Sequence, residues 1–199
     1  RVDFTLFRIQ TTDEIVVAVS SGGSTAYKNA PGTTRTGWEL GGRTLLSPNW
    51  RAQLSASSVD AQFTQTFVSN GATVNEGNRM PGIPQNFLFS ELLWSSRALD
   101  TAPRAARLGT QAGVELVRAG RLYANDTNTA SADGYAIAHL KASHGWAVGQ
   151  GNLTAYARID NVGDKAYVGS VIVNQAASQF YEPAPGRNWT LGARLNVPL

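Results

Sequence analysis

The chain carries few residues that could act as nucleophiles, general bases or metal ligands. It has no cysteine and two histidines, His139 and His144, which excludes thiol catalysis, disulfide frameworks and cysteine-ligated metal sites. The patterns H-x-x-H, H-E-x-x-H and G-x-S-x-G are absent, so the spacings typical of zinc enzymes and serine hydrolases are missing. His139 shares a predicted strand face with Lys141, and we expect it to add polarity there rather than to bind a metal.

Two pairs of carboxylates and one glycine-containing run are the remaining candidates for chemistry. Asp13 with Glu14 and Asp160 with Asp164 have spacings compatible with calcium binding or glycosidase chemistry, but acids near predicted loops are usually solvated. The run Ser-Gly-Gly-Ser at residues 21–24 precedes no predicted helix, so it offers no helix N-terminus to phosphate. We therefore predict that the chain is not an enzyme, with no catalytic residues, no metal and no cofactor.

Composition favours a protein with polar but largely uncharged surfaces. Of the 199 residues, 42% are hydrophobic and 16% are charged, whereas soluble domains carry about 25% charged residues. The net charge is +3 and the basic residues form no run, so we expect no nucleic-acid partner. No apolar stretch reaches the roughly 18 residues of a membrane helix. That limit does not apply to membrane strands, whose signal is weaker.

Alternation of apolar and polar residues is the strongest structural signal. At the end of the chain every second residue is apolar: Trp189, Leu191, Ala193, Leu195, Val197 and Leu199. The same period of two recurs in residues 37–46, 107–116 and 152–160. This period predicts strands with one face toward lipid or a core and the other toward water.

The pattern predicts eight strands. They are expected near residues 2–20, 33–46, 50–66, 86–97, 105–122, 135–144, 151–161 and 188–199. Short connections are predicted at 47–49, 100–103 and 145–151, and long ones at 20–32, 67–86, 124–134 and 162–187. Regular alternation of short and long connections is typical of transmembrane barrels, so we predict an all-β, transmembrane antiparallel β-barrel.

Glycines on the predicted inner face indicate a lumen too wide for eight strands to enclose. They are Gly37, Gly41, Gly109, Gly113 and Gly192. Eight strands can close alone when side chains fill the interior, and residues this small would leave it unfilled. Two alternatives stay open: a self-contained eight-stranded outer-membrane anchor or small pore, and a soluble β-sandwich binding module.

Motifs along the chain resemble those of TonB-dependent outer-membrane receptors of the siderophore-receptor type. Residues 161–167 (N-V-G-D-K-A-Y) are similar to the N-L-F-D-K-x-Y step of that family, with Val162 and Gly163 departing from it, and P-G-R stands before the last strand. Residues 27–40 resemble a Y-x-N-A … G-x-E-L step, and residues 133–135 resemble P-G-Y. The positions matching the C-terminal family motif are Asn161, Asp164, Tyr167, Glu182, Pro185, Gly186 and Arg187.

The resemblance implies a role and a location. The family forms 22-stranded barrels with a plug domain inside, so residues 1–199 would be the C-terminal barrel portion of about eight strands, with the plug domain and earlier strands absent. It implies the bacterial outer membrane and energy-coupled uptake of a ferric siderophore or similar scarce nutrient. The implied partners are outer-membrane lipid, the protein's own plug domain, the TonB complex through the missing N-terminal part, and the small ligand.

The resemblance also implies roles for individual residues. The lumen residues expected to face the plug are Glu39, Arg43, Arg51, Arg107, Gln111 and Glu115. Basic and aromatic side chains in long loops suit anionic, planar ligands, and the loop candidates are Tyr27, Lys28, Arg35, Arg79, Tyr123, Phe180 and Tyr181. Loop solubility and rim anchoring are the alternative roles for each of them.

Aromatic residues near the strand ends are expected to form two membrane girdles. Those assigned to the outer rim are Tyr167, Phe180, Tyr181 and Trp189, and those assigned to the opposite rim are Trp50, Trp94 and Trp146. Arg187 is expected to pair with Glu182 or Asp164 rather than to contact ligand or lipopolysaccharide. Outer-membrane barrels commonly end in an aromatic residue, whereas this chain ends in Leu199.

Overall fold

A computed structural model of the chain describes residues 1–99 and 108–197. Within these ranges there is no helix of the length and apolarity that a membrane crossing requires. The strands are β1 (Val2–Ser21), β2 (Ser24–Ser47), β3 (Trp50–Phe63), β4 (Phe67–Ser69), β5 (Ala72–Val74), β6 (Asn86–Ser95), β7 (Gly109–Ala119), β8 (Leu122–Tyr123), β9 (Ser131–Ala132), β10 (Tyr135–Val148), β11 (Gly151–Asp160), β12 (Val168–Val171), β13 (Tyr181–Pro183) and β14 (Asn188–Asn196).

Eight long strands form one antiparallel sheet in the order β1-β2-β3-β6-β7-β10-β11-β14. Each strand pairs with the next long strand along the chain, and β1 and β14 are the two edges of the sheet. The six short strands form three two-stranded sheets within the connections. The predicted all-β architecture with eight antiparallel strands is confirmed.

Neither alternative architecture agrees with this sheet. A self-contained barrel requires β1 to pair with β14, and the described sheet is not closed by that pair. A sandwich requires a second large sheet over the apolar face, yet Leu6 and Leu191 on that face are 71% and 78% exposed. The described residues thus form an open antiparallel sheet whose edge strands, β1 and β14, do not pair with each other.

The predicted long connection at 20–32 is wrong. β1 and β2 instead continue to a two-residue turn at Gly22 and Gly23, where Ser21 pairs with Ser24. Both glycines have positive φ angles, 56° and 79°, which is the backbone conformation that a tight hairpin turn requires and that glycine adopts without strain. The predicted short connection at 100–103 lies outside the described residues, as do the first three residues of the predicted strand at 105–122.

The register places like residues on like faces of the sheet. One apolar row runs through paired positions of six strands: Trp50, Trp94, Ala112, Ala142, Ala157 and Leu191. We call this side the apolar face. The opposite side, which we call the charged face, carries Arg51, Glu91, Glu115, Lys141 and Arg158. The division predicted from the alternation is therefore present across the sheet.

Four of the five glycines predicted to widen the interior are covered by neighbouring side chains. A Cβ on Gly109 would lie 2.6 Å from Oγ of Ser96. A Cβ on Gly37 would lie 2.8 Å from Cζ of Phe7, and one on Gly113 would lie 3.1 Å from Cε of Lys141. A Cβ on Gly192 would overlap the ring of Tyr156. The last three of these glycines make room for specific side chains on the charged face, whereas Gly41 has nothing within 4 Å of its Cβ position.

A small buried core lies at the end of the sheet with the long connections. It consists of Ala30, Ala61, Phe63, Val74 and Met80. The Phe63 ring packs edge-on against that of Phe67, with centroids 5.0 Å apart. Since Phe63 has the same strand parity as Arg51, the β4–β5 hairpin packs on the charged face.

Candidate functional site

An ion-pair ladder crosses five strands of the charged face. At one end, Nη2 of Arg51 on β3 lies 3.1 Å from Oε1 of Glu91 on β6. Lys141 on β10 forms ion pairs with Glu91 and also with Glu115 on β7, the latter at 2.6 Å. Both glutamates are buried, at 8% and 7% exposure. Buried carboxylates are stable when each is paired with cations in this way.

The ladder continues to β11. Nη2 of Arg158 lies 2.8 Å from Oε2 of Glu115, and Nε of the same arginine lies 2.7 Å from Oδ1 of Asp160. Nδ1 of His139 is 2.7 Å from the same Asp160 oxygen. The charges of three cations and three anions therefore cancel within the sheet itself. The cations are Arg51, Lys141 and Arg158, and the anions are Glu91, Glu115 and Asp160.

Gly113 is the position that lets Lys141 reach across β7. Lys141 pairs in register with Gly113, and on the other side of β7 Gly113 pairs with Leu93. The missing Cβ leaves space over the β7 backbone, which the Lys141 side chain uses to reach Glu91 on the next strand.

The residues predicted to face the plug fall into three groups. Arg51 and Glu115 belong to the ladder. Glu39 and Arg43 are exposed on β2. Gln111 lines a groove of about 460 Å³ together with Ser143, Thr154, Tyr156, Arg194 and Asn196. Arg107 lies outside the described residues.

A second ion pair lies between β1 and β2 on the same face, nearer the end of the sheet with the long connections. Nη1 of Arg35 donates to Oε2 of Glu14 at 3.0 Å, and Thr33 donates to the same carboxylate. Arg35 was predicted to contact ligand from a loop. The structure places it on β2, paired with Glu14 and 22% exposed.

Lys28, another predicted ligand residue, contacts residues of two long connections, β3–β6 and β7–β10. Its Nζ lies 2.9 Å from Oδ2 of Asp126 and 4.8 Å from the centroid of the Phe67 ring. It also donates to the Ser69 hydroxyl, which in turn donates to Asp126 at 3.2 Å. Asp126 is 3% exposed.

Asn174 joins this group from the longest connection. Its Oδ1 accepts a hydrogen bond from the backbone N–H of Asp126 at 3.0 Å. Its Nδ2 donates to the Val17 carbonyl at 2.8 Å, and its backbone N–H donates to the Ala124 carbonyl at 2.9 Å. Asn174 thereby connects β1 with the segment between β8 and β9.

The remaining predicted ligand residues are dispersed around these connections. Nη2 of Arg79 lies 2.9 Å from Oδ1 of Asp60. Tyr27 is 65% exposed on β2, and Tyr123 is half-buried. The rings of Phe180 and Tyr181 meet edge-on at 6.2 Å, and the Tyr181 hydroxyl donates to the Ser131 carbonyl at 3.2 Å.

The family-motif residues form a corner that joins the two ends of the β11–β14 connection. Asn161 has a positive φ of 50° and is 2% exposed. Its Oδ1 accepts from the Lys165 N–H at 3.0 Å, and its Nδ2 donates to the Lys165 and Pro185 carbonyls at 2.8 and 3.4 Å. Oδ1 of Asp164 accepts from the Arg187 backbone N–H at 2.7 Å. A Cβ on Gly186 would lie 2.8 Å from the same Asp164 atom, so a side chain there would press on the hydrogen bond between Asp164 and Arg187.

Arg187 does not form the predicted ion pair. Its Nε donates to the Val162 carbonyl at 2.9 Å, while Asp164 contacts its backbone and Glu182 bonds to Ser170. Turn geometry decides this outcome, because the corner holds Asp164 against the main chain.

The aromatic residues of the predicted girdles occupy different settings. The Tyr167 ring stacks on Tyr135 at 4.2 Å, and burial, followed by the nearby Tyr135 and Asp160, raises the pKa of Tyr167 above its usual value. Trp50 pairs with Trp94 on the apolar face, and Trp146 is 46% exposed on that face. These three tryptophans lie near the short connections. Leu199 lies outside the described residues.

The candidates for chemistry named from the sequence do not assemble into one centre. In residues 1–99 and 108–197, no group of three or more His, Cys, Asp and Glu side chains is arranged to hold a metal ion. Asp160 binds Arg158 while Asp164 binds a backbone N–H. His144 bonds to the Thr110 hydroxyl at 2.8 Å.

Sequence reasoning missed Glu91, Asp126 and Asn174. Each sits in a segment whose strand or loop character was predicted, but their partners lie 40 or more positions away. Only the strand register and the packing of the connections bring such residues together. The alternation that put Glu115 on the inner face and His139 on the same strand face as Lys141 was the signal available for the middle of the ladder.

Comparison with protein families gives a match over most of the chain. The family model described as "TonB dependent receptor-like, beta-barrel" matches residues 1–162.

Solved structures with the same fold include three receptors. The ferric preacinetobactin receptor BauA from Acinetobacter baumannii is 16% identical, with a TM-score of 0.72, and the match covers 98% of this chain and 27% of that one. The siderophore receptor PiuA from the same organism is 21% identical, with a TM-score of 0.67 and coverage of 96% and 25%. The ferric yersiniabactin uptake receptor FyuA from Yersinia pestis is 22% identical, with a TM-score of 0.65 and coverage of 96% and 26%. The chain thus spans about a quarter of their length, and at these identities the likeness concerns the fold.

Proposed function

Because the chain belongs to the TonB-dependent receptor β-barrel family, we propose that it forms the C-terminal wall of an outer-membrane receptor that takes up a ferric siderophore or a similar scarce nutrient. Receptors of this family are transport proteins and not enzymes. The observation that carries the proposal is the combination of this family match with a sheet in which an apolar row on six strands and an ion-pair ladder on five strands lie on opposite faces.

The apolar face suits contact with membrane lipid. Large apolar side chains on it remain open to the surroundings, including Phe4 at 60%, Leu116 at 50% and Leu195 at 59% exposure. Burying such surface in acyl chains is favourable by about 25 cal/mol per Å². A closed barrel is the form in which strands satisfy every backbone group inside lipid. We therefore place the protein in the bacterial outer membrane, with further strands pairing β1 and β14.

The charged face would line the lumen and contact the plug domain. In the ladder, Arg51 and Glu115 are already paired with other residues of the wall, so a plug side chain would have to compete for them. Glu39 and Arg43 are exposed and carry no ion pair within the described residues. We propose that these two residues, more than Arg51 or Glu115, bind the plug, and that the TonB complex acts through the plug.

The ligand would be recognised where the long connections meet the upper part of the charged face. Lys28, Arg35 and Arg79 are each paired with an acid there, so an anionic ligand would have to displace a carboxylate from them. The aromatic candidates carry no charge, so a ligand need not displace a carboxylate from them. Tyr27, Tyr123 and Phe180 would stack on a planar chelate. The named ligands of BauA and FyuA, ferric preacinetobactin and ferric yersiniabactin, make an iron chelate the first class to test.

The experiment uses the full-length receptor. Deleting its gene should impair growth under iron limitation when one ferric siderophore is the iron source, and the purified receptor should bind that chelate. Substituting Tyr27 with Ala should weaken the binding, while Thr5→Ala on the lower part of the charged face should not. Several ferric siderophores are supplied in turn as the iron source. If growth is unimpaired on each of them and the purified receptor binds none, the siderophore assignment is ruled out.

A further inference from the structure

Four connections at one end of the sheet are bonded to one another. They are the tip of the β1–β2 hairpin (17–28), the β3–β6 connection (64–85), the β7–β10 connection (120–134) and the β11–β14 connection (161–187). We call these four segments the cap. Connections between strands are usually more mobile than the strands that they join. Hydrogen bonds and ion pairs between four connections therefore indicate that these connections restrict one another's motion.

Asp126, in the β7–β10 connection, is the residue at which the other three segments meet. Its carboxylate forms an ion pair with Lys28 of the hairpin tip, at 2.9 Å. It also accepts a hydrogen bond from the Ser69 hydroxyl of the β3–β6 connection, at 3.2 Å. Its backbone N–H donates to Asn174 of the β11–β14 connection. The Lys28 ammonium and the Ser69 hydroxyl take the place of water around this carboxylate, which is 3% exposed.

The other bonds tie the same segments pairwise. Asn174 accepts a backbone hydrogen bond from Ser20 at 3.1 Å, and Ala176 donates back to the Ser20 carbonyl at 3.0 Å. Asn128 and Arg79 exchange two hydrogen bonds, at 2.7 and 2.8 Å, that join the β7–β10 and β3–β6 connections. Each segment is therefore held by at least two of the others.

We propose that the cap is one cooperative unit locked by Asp126, so that its four segments open and close together rather than separately. Removing the Asp126 charge leaves the Lys28 ammonium without an anion and weakens the junction of all four segments at once. Local opening would then spread through the shared bonds instead of stopping at one loop. The inference rests on the proposed function only in placing the cap over the mouth of the barrel.

Amide hydrogen exchange of the full-length receptor in detergent tests the lock. In Asp126→Asn, peptides from all four segments should exchange about tenfold or more faster, while peptides from β7 and β10 keep their rates. The matched control is Asp133→Asn in the same connection, because Asp133 is 91% exposed and its nearest cation, Arg121, lies 3.7 Å away. This control should leave exchange in all four segments unchanged.

A faster exchange confined to residues 120–134, or no change in any segment, would overturn the proposal. If Asp126→Asn is not recovered folded, Lys28→Met removes the same ion pair from the hairpin side and must also speed exchange in all four segments. The measurement needs no ligand. A receptor that fails to import iron chelates can therefore still show the locked cap, and independent loops would refute the lock without touching the receptor assignment.

Discussion

Lys141 is the residue on which the ladder depends most. Its ammonium bridges Glu91 and Glu115, which face each other across β6 and β7 and would otherwise repel. The bridge exists because position 113 has no side chain. The stability of a partly buried ion pair depends on such a space, since losing one partner leaves the other as an uncompensated buried charge.

Filling position 113 should break this bridge. In the full-length receptor, we expect Gly113→Val to displace Lys141 and lower the free energy of unfolding by about 1–3 kcal/mol. The control is Gly41→Val on the same face of β2, where a Cβ meets nothing within 4 Å. Urea titration followed by the gel shift between folded and boiled barrel measures both variants, and equal midpoints for the two would refute the role of Gly113.

Asn161 combines an unusual backbone angle with side-chain hydrogen bonds. Asn161→Gly keeps the ease of reaching φ 50° but removes the bonds to Lys165, whereas Asn161→Ala loses both. Lost hydrogen bonds cost about 0.5–1.5 kcal/mol each, and a left-handed alanine costs about 1–2 kcal/mol more. We expect the order wild type, Gly, Ala in urea midpoints of the full-length receptor, and identical midpoints for Gly and Ala would show that the backbone angle is unimportant.

At the scale of the strands, an arginine should destabilise the protein on one face of β3 and be tolerated on the other. Leu54 is on the apolar face, while Ser55 is on the charged face between Gly41 and Phe89. We expect Leu54→Arg to destabilise the full-length receptor by about 2–4 kcal/mol, because an arginine on the lipid face must be desolvated. Ser55→Arg should change stability little, since the charged face would line the water-filled lumen of the proposed barrel.

Reconstitution in lipid vesicles, with folding followed by the gel shift, compares these two variants. Similar losses at both positions would mean that the apolar face does not contact lipid.

The strand faces could be predicted from the sequence, but the long-range contacts between them could not. A period of two fixes which side chains share a face, so Arg51 and Glu115 were placed correctly on one side. Their connection runs through Lys141 and Glu91, which are 50 positions apart and meet only through the register of β6, β7 and β10. The hairpin turn at Gly22 and Gly23 had a recognisable Gly-Gly signal, but residues 20–32 were interpreted as a long connection because Gly, Asn, Ser and Pro are frequent there.

At the scale of the whole molecule, the sheet has two free edges, β1 and β14. Exposed edges of long strands pair readily with other chains. We therefore expect residues 1–199, expressed alone and refolded in detergent, to form aggregates and to show no gel shift on heating. A monomeric species with a gel shift and slow amide exchange at both edge strands would show instead that the chain closes by itself.

The balance of charge within the ladder has a consequence for transit through the proposed pore. Three cations and three anions share one belt of the wall, and each is held by its neighbours. In the proposed receptor, an anionic cargo that passes these six side chains would meet no excess of either sign from them. This part of the wall would then contribute little to electrostatic selection of the cargo.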